Sequence, residues 1–266
     1  MLCTCGGFYG ALVLRQLLTC DGLNILAVIR SKRISEARAG FFEGALGHVR
    51  RSGIAYAFYL WFATTVSEWL CVLSCGTRVS VRRGFAGLPV FRTRDINDVD
   101  GLHFLTSCAP DLIISAFFNQ RLHAAALAVP RRGCLNIHPS LLPAARGVDP
   151  VFQSLLHDSP PLGVTVHFMT PELDAGPIVA QRSMGARAGS SVFAATALLF
   201  SEGAGLLTAA IERIAGGFAG TPQTGTGSYQ GWPTRAELRA FRARGGALVR
   251  LADLARLGRG RMDKGW

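Results

Sequence analysis

Acidic side chains are scarce in this sequence. Asp and Glu number 17 against 28 Lys and Arg, a formal net charge of +11 over 266 residues. That balance favours an anionic partner: a phosphorylated small molecule, a polyanionic tail, nucleic acid or an anionic membrane surface. A merely solubilising basic surface is the ordinary alternative. Charge of either sign is also sparse, at 17%, while hydrophobic residues reach 49%. Such a composition excludes a disordered chain, and the length suffices for one large core or a core with a small appendage.

Other absences narrow the class further. There is no GxGxxG, so the glycines near the start carry only a weak claim to a dinucleotide. Cysteine comes to seven scattered residues, an odd number that suits a reducing cytoplasm better than a disulfide framework. The close pairs Cys3/Cys5 and Cys71/Cys75 lack the further His or Cys of a tetrahedral zinc set, so no metal is expected. The opening Met1-Leu2-Cys3-Thr4-Cys5 has no basic n-region and reads as a first strand cut short rather than a secretory signal. No internal repeat is visible.

What is present alternates between strand and helix. Strand, glycine turn (Gly6 to Gly10), helix (Ala11 to Cys20) and strand (Leu23 to Ile29) make a βαβ opening and predict a parallel sheet. Further strands are expected at Leu88–Phe91, Asp111–Phe118, Cys134–Ile137, Gly163–Met169 and Ile178–Gln181. Helices are expected at Asp98–Thr106, Gln120–Leu127, Val151–His157 and Ser190–Ala215. Residues 30–53 are basic. Glu237–Leu257 is an Arg-rich amphipathic stretch. The expected fold is α/β: an open, mostly parallel, Rossmann-like sheet with helices on both faces. Residues 1–215 are expected to form its main domain, carrying an apolar helical insertion at about 42–76, and residues 216–266 a short helical and loop extension.

Ile54 to Cys75 stands apart from that pattern. Glu68 is its only charge, and its length just reaches a membrane span. A central charge costs about 2.5–3.5 kcal/mol on insertion, so a buried or partner-facing helix is the favoured reading, with contact to a membrane surface the minority one.

The chemistry concentrates between Gly133 and Gln181. Asn136 and His138 are two apart in an extended segment and point to one face, and Pro139 biases His138 away from helix. Asp174 lies in the later loop Leu173-Asp174-Ala175-Gly176-Pro177. An amide donating to an oxyanion beside an imidazole oriented by a carboxylate is a workable acyl-transfer site. Taken singly, each residue has a plain structural explanation: a turn cap, a satisfied core histidine, the start of a turn.

The run Asn136-Ile137-His138-Pro139-Ser140-Leu141-Leu142-Pro143, then Arg146-Gly147, Gly163-Val164-Thr165-Val166-His167-Phe168-Met169 and Leu173-Asp174-Ala175-Gly176-Pro177-Ile178 resembles the 10-formyltetrahydrofolate-dependent formyltransferases. That family includes glycinamide ribonucleotide, methionyl-tRNA and sugar N-formyltransferases. The resemblance is close over about fifty residues and loose over the first 215. It implies a catalytic triad of Asn136, His138 and Asp174. It implies 10-formyltetrahydrofolate as formyl donor, near Phe117, Phe118, Asn119, Gln120, Leu142 and Gly176. It implies a small-molecule amine acceptor near Gly7, Tyr9, Arg146 and His167.

Departures sharpen the expectation. Gly6-Gly7-Phe8-Tyr9-Gly10 replaces the Gly-Ser-Asn turn of the purine branch. The tail reads as helix and loop where the tRNA enzymes carry a β-barrel, and no regulatory domain precedes the catalytic one as in the formyltetrahydrofolate hydrolases. A cytoplasmic stand-alone N-formyltransferase for a small, phosphorylated or sugar amine is the result. Nucleic acid is the less expected partner, and a homodimer is left open. The alternatives are a hydrolase of the same donor, a tRNA or glycinamide ribonucleotide formyltransferase, and a non-catalytic folate-binding or membrane-associated protein. The Ile54–Cys75 and Tyr229–Pro233 segments are assigned to no pocket.

Overall fold

The computed structural model describes residues 1–32, 41–70, 88–185, 189–225 and 227–258. Leu2–Thr4 (β1) passes through Gly6 into the helix Gly7–Leu18 (α1) and back to Val28–Ser31 (β2). Helices Phe41–Ser52 (α2) and Ile54–Trp61 (α3) follow. After them come Val90–Thr93 (β3), Val99–Cys108 (α4), Ile113–Ala116 (β4), Ala124–Leu127 (α5) and Cys134–His138 (β5). The order β3-β2-β1-β4-β5 is parallel throughout. Gly163–Phe168 (β7) pairs antiparallel with β5, and Ile178–Ser183 (β8) pairs antiparallel with β7 at the edge, completing the sheet. The strand order reverses beside β1, and the carboxyl ends of β1 and β4 face the crevice where open α/β sheets bind ligands. The expected mostly parallel α/β fold is what the chain adopts.

The two faces of the sheet bury separate cores. The larger holds α1 and the long helix Val192–Ala215 (α7), and the smaller holds Ile96, Leu105 and Ala126 under α4 and α5. Among the described residues α7 is the helix long and apolar enough to cross a membrane, but its Val192, Phe193, Leu199, Phe200 and Leu207 are buried on the sheet. Gly203 sets how closely it lies. A Cβ there would stand 2.4 Å from Ile137 Cγ2 and 2.8 Å from Val164 Cγ2.

Several boundaries differ from expectation for visible reasons. The glycine turn is shorter, and α1 already includes Phe8, Tyr9 and Gly10. The helix expected from Gln120 shrinks to α5, because the Gln120 side chain is bonded to the ends of β2 and β3 and to the turn at Ile96. The amphipathic tail divides into Arg235–Ala243 (α8) and Leu251–Gly258 (α9), with Gly245 at φ 79° between them. Thr234 and Glu237 close a capping box on α8.

The apolar segment is an interrupted helix. α3 gives way at Phe62–Val66 to a π-helical turn. There Thr64 Oγ1 donates to Leu60 O at 2.7 Å and Ser67 Oγ to Ala63 O at 2.9 Å. Hydroxyls that bond back onto a helix loosen its ladder, and π-turns occur where it is loosened. Tyr56, Tyr59, Phe62 and Ala63 are buried. Glu68 Oε2 accepts from Arg30 Nη2 at 3.0 Å and from the Gly7 N–H at 3.2 Å, so the central charge ties the segment to the sheet. Cys71, Cys75 and the Arg78–Arg83 stretch lie outside the described residues.

Candidate active site

β5 aims both of its polar side chains as the alternation requires. Asn136 pairs directly opposite His167 of β7, and His138 opposite Thr165. The β7–β8 register shifts between Val166 and His167, with Val179 of β8 as the extra residue opposite them. Such irregularities re-aim side chains beside active sites.

Hydrogen bonds fix the tautomers. His167 Nδ1 lies 2.8 Å from Phe168 O, an acceptor only, so Nδ1 carries the proton. Burial, followed by the neighbouring His138, lowers the His167 pKa to about 4, with Asp174 pulling the other way. The ring is therefore neutral at pH 7, and its Nε2 accepts from the Asn136 amide at 3.2 Å. One N–H of that amide is thus held on His167 and the other is left for a ligand. His138 Nε2 donates to Ala145 O at 2.9 Å, which turns Nδ1 towards Asp174 Oδ1 at 3.6 Å. In this arrangement the Nε2–H of His138 is spent on the loop, so Asn136, rather than His138, keeps an N–H for a ligand.

Asp174 is held firmly in an uncommon backbone conformation. Its φ is 52°, a left-handed geometry that Asp tolerates. Oδ2 accepts the Gly147 N–H at 2.9 Å, and Gln223 Nε2 bonds Asp174 O at 2.9 Å and Gly176 O at 2.8 Å. Oδ1 stands 3.6 Å from His138 and 3.8 Å from His167, beyond hydrogen-bond length, with acceptor capacity to spare. The carboxylate is 6% exposed.

The loop from Ser140 to Gly147 is braced on all sides. Thr165 Oγ1 donates to Ser140 O and accepts from Leu142 N, and Ser140 Oγ donates to Ala145 O. The loop then forms Ala145–Gly147 (β6), which pairs in parallel with Ser228–Gln230 (β9). Gly147 has φ 115°, and a Cβ there would lie 2.1 Å from Gln230 O. Gly147→Ala is therefore expected to cost about 1–3 kcal/mol from backbone strain alone. It would also unseat the N–H that holds Asp174. Chemical denaturation and a rate assay on the same preparation check both effects.

Asn136, His138, His167 and Asp174 share one cavity of about 1070 Å³ with Phe117, Phe118, Asn119 and Gln120. Phe117 ends β4 at φ 51°, its ring edge-on to Tyr9 at 4.9 Å. Gln120 lines the wall but is spent on the chain: Nε2 donates to Ser31 Oγ and Thr93 O, and Oε1 accepts from Ile96 N. Five expected ligand contacts are not among the lining residues. Gly7 packs on the π-turn, where a Cβ would meet Ala63 O at 2.4 Å. Tyr9 is fully buried, its hydroxyl on Tyr59 and Phe193 O. Leu142 is buried under Thr165 and Gln181. Arg146 bonds Gln223, and Gly176 lies against Phe168 O. These five shape the site from behind.

Comparison with known proteins decides the family. Residues 78–209 match the sequence model described as formyl transferase. Over this span the chain belongs to the formyl transferase family. A methionyl-tRNA formyltransferase of Thermotoga neapolitana is 43% identical over 108 residues, covering 41% of this chain and 34% of that protein. One from Moorella thermoacetica is 37% identical over 130 residues, covering 49% and 42%. The chain thus spans well under half the length of these curated relatives. A solved glycinamide ribonucleotide transformylase 1 from Symbiobacterium toebii superposes with a TM-score of 0.53 at 21% identity, over 81% of this chain and 86% of that one. That likeness shows the fold.

Within this formyl transferase fold, the two segments left without a pocket turn out to line the cavity. Tyr56, Phe58 and Trp61 of α3 and Tyr229 and Trp232 of the tail all reach it. The apolar side chains of α3 are thus divided between the core and the cavity wall, with Ile54, Phe58 and Trp61 also exposed. Asp149, also unmarked in the sequence, caps Pro150–His157 (α6) through Phe152 N and accepts the Tyr56 hydroxyl at 2.5 Å. Spacing could not have revealed it, because Tyr56 lies 93 residues away in the chain. Burial raises the Asp149 pKa from 3.8 to about 6, against the pull of Tyr56 and Phe152 N. The folded state therefore binds this proton more tightly than the unfolded state. Ionisation at pH 7 costs stability, and the cost fades as pH falls from 6 towards 3.8. Asp149→Asn, which retains the cap, is expected to raise Tm at pH 7. The gain should shrink on thermal melts taken at successively lower pH, down to pH 4.

Among the described residues no three His, Cys, Asp or Glu gather as a metal site.

Proposed function

We propose that this protein transfers the formyl group of 10-formyltetrahydrofolate to the primary amine of a small molecule in the cytoplasm. The observation that carries the reading is the carboxylate of Asp174, set between two imidazoles at one cavity with the Asn136 amide. The amine nitrogen attacks the formyl carbon, and the carbonyl oxygen becomes an oxyanion. The free N–H of Asn136 donates to that oxygen, while neutral His167 keeps the amide turned the right way. A preorganised donor of this kind is worth about 10²–10³ in rate. The proton released by the amine passes to Asp174 Oδ1, directly or through one water, and His138 shares it across the 3.6 Å gap. The same proton then goes to the departing folate nitrogen, and the collapsing intermediate leaves a formamide and tetrahydrofolate.

A second reading is supported by the names of the relatives and by the net charge of +11: the acceptor is the amine of an aminoacyl-tRNA. One experiment separates the two. The protein is given 10-formyltetrahydrofolate with pooled amino sugars, amino nucleotides, aryl amines and, separately, methionyl-tRNA, and mass spectrometry identifies the formyl adduct. An adduct in the small-molecule pool, lost in His138→Ala, is the expected result. An adduct on methionyl-tRNA alone establishes the second reading.

A further inference from the structure

The cavity is walled by more than the catalytic sheet. α2 and α3 join the C-terminal segment across it. The His48 ring stands edge-on to Trp232 at 4.8 Å, Tyr56 lies 6.2 Å from Trp232, and Arg235 Nη2 donates to Val49 O at 2.8 Å. Trp232 closely follows β9, whose partner β6 ends at Gly147, the residue that holds Asp174. One strand pair therefore leads into Trp232 of the wall and presents the Gly147 N–H that holds Asp174. Phe58 and Trp61 extend the wall outward, 60% and 48% exposed, with ring centres 5.3 Å apart.

Asp149 lies in this wall, two residues beyond Gly147 on the loop that leads into α6. Its Oδ1 accepts from Phe152 N at 3.2 Å and its Oδ2 from Tyr56. Each oxygen keeps a further lone-pair site. A carboxylate beside aromatic faces suits a cation, through a charge-assisted hydrogen bond and the ring quadrupoles together. It repels a phosphate. Of the cations on the same cavity, Arg30 is paired with Glu68 at 3.0 Å, while Arg121, which donates to Pro171 O at 2.6 Å, and the exposed Lys32 keep their charge.

From this geometry we infer that Asp149, with Tyr56, Tyr229 and Trp232, forms the acceptor subsite, and that the acceptor is a primary amine on an aromatic or apolar body, bound as its ammonium. This rests on the formyl-transfer reading of the same cavity. The bound ammonium gives one proton to Asp149, and the freed lone pair attacks the formyl carbon as described above.

Calorimetry on the full chain tests the inference, with saturating tetrahydrofolate so that no turnover occurs. The probes are tryptamine, its alcohol counterpart tryptophol, and glucosamine 6-phosphate. Tryptamine is expected to bind more tightly than either of the others by about tenfold or more, the size of a hydrogen bond to a charged group. Asp149→Asn, whose oxygen keeps the Phe152 cap while its N–H₂ donates to the Tyr56 hydroxyl oxygen, should remove that advantage without changing tetrahydrofolate affinity, and Trp232→Leu should weaken tryptamine and tryptophol alike. The inference is overturned if tryptamine fails to bind, if glucosamine 6-phosphate binds more tightly, or if Asp149→Asn leaves tryptamine unaffected. Failure of tetrahydrofolate itself to bind the wild-type protein overturns the formyl-transfer reading instead.

Discussion

Asp174→Asn is expected to lower the rate of formyl transfer by about 10²–10⁴, the range for removing a positioned general base, with little change in affinity for the folate. The substitution is informative because so much survives it. Asparagine also tolerates the left-handed backbone at φ 52°. The Gly147 N–H still finds an amide oxygen, and the Gln223 bonds go to backbone carbonyls that the change does not touch. What is lost is the charge at Oδ1, 3.6 Å from His138 and 3.8 Å from His167. Steady-state and single-turnover kinetics should locate the loss in the chemical step. A variant with near wild-type turnover would move the proton-accepting role to another group.

The largest loss of stability is expected at Phe193. It opens α7, is fully buried, and its ring lies 5.6 Å from Phe8, 5.4 Å from Tyr9 and 5.2 Å from Phe62. Truncating such a residue typically costs about 3–5 kcal/mol, a large share of the roughly 5–15 kcal/mol that holds a domain together. The consequence extends to function. Tyr9 supports Phe117, the strained residue at the end of β4, so loosening the cluster should also lower folate affinity. Urea denaturation of Phe193→Ala checks the first effect and a folate titration the second. A loss below about 1 kcal/mol would mean that the Ile54–Val66 segment is not part of the main core.

The proposed site residues were legible in the sequence for a local reason. Asn136 and His138 sit on one strand, where alternation alone places them together, and Asp174 lies in a loop whose Asp-Ala-Gly-Pro text marks a turn. Long-range contacts were not legible. The bond between Tyr56 and Asp149 and the strand pair of β6 with β9 join segments far apart in the chain, and no periodicity encodes them. Gln120 was read as helical and as a ligand. Its three bonds tie it to the ends of β2 and β3 at Ser31 and Thr93 and to the turn at Ile96. Ile54–Cys75 was ambiguous because composition shows only that its side chains avoid water. The hydroxyls of Thr64 and Ser67, which loosen the helix, show their effect only in the fold.

The most direct test of formyl transfer follows the carbon itself. 10-Formyltetrahydrofolate labelled with ¹³C at the formyl group would be incubated with the protein and an acceptor amine, and the label traced by NMR. The account predicts a ¹³C formamide resonance that grows with wild-type protein and is suppressed by Asp174→Asn. Label appearing only as free formate, at a rate indifferent to any amine, would contradict it and identify the activity as hydrolysis.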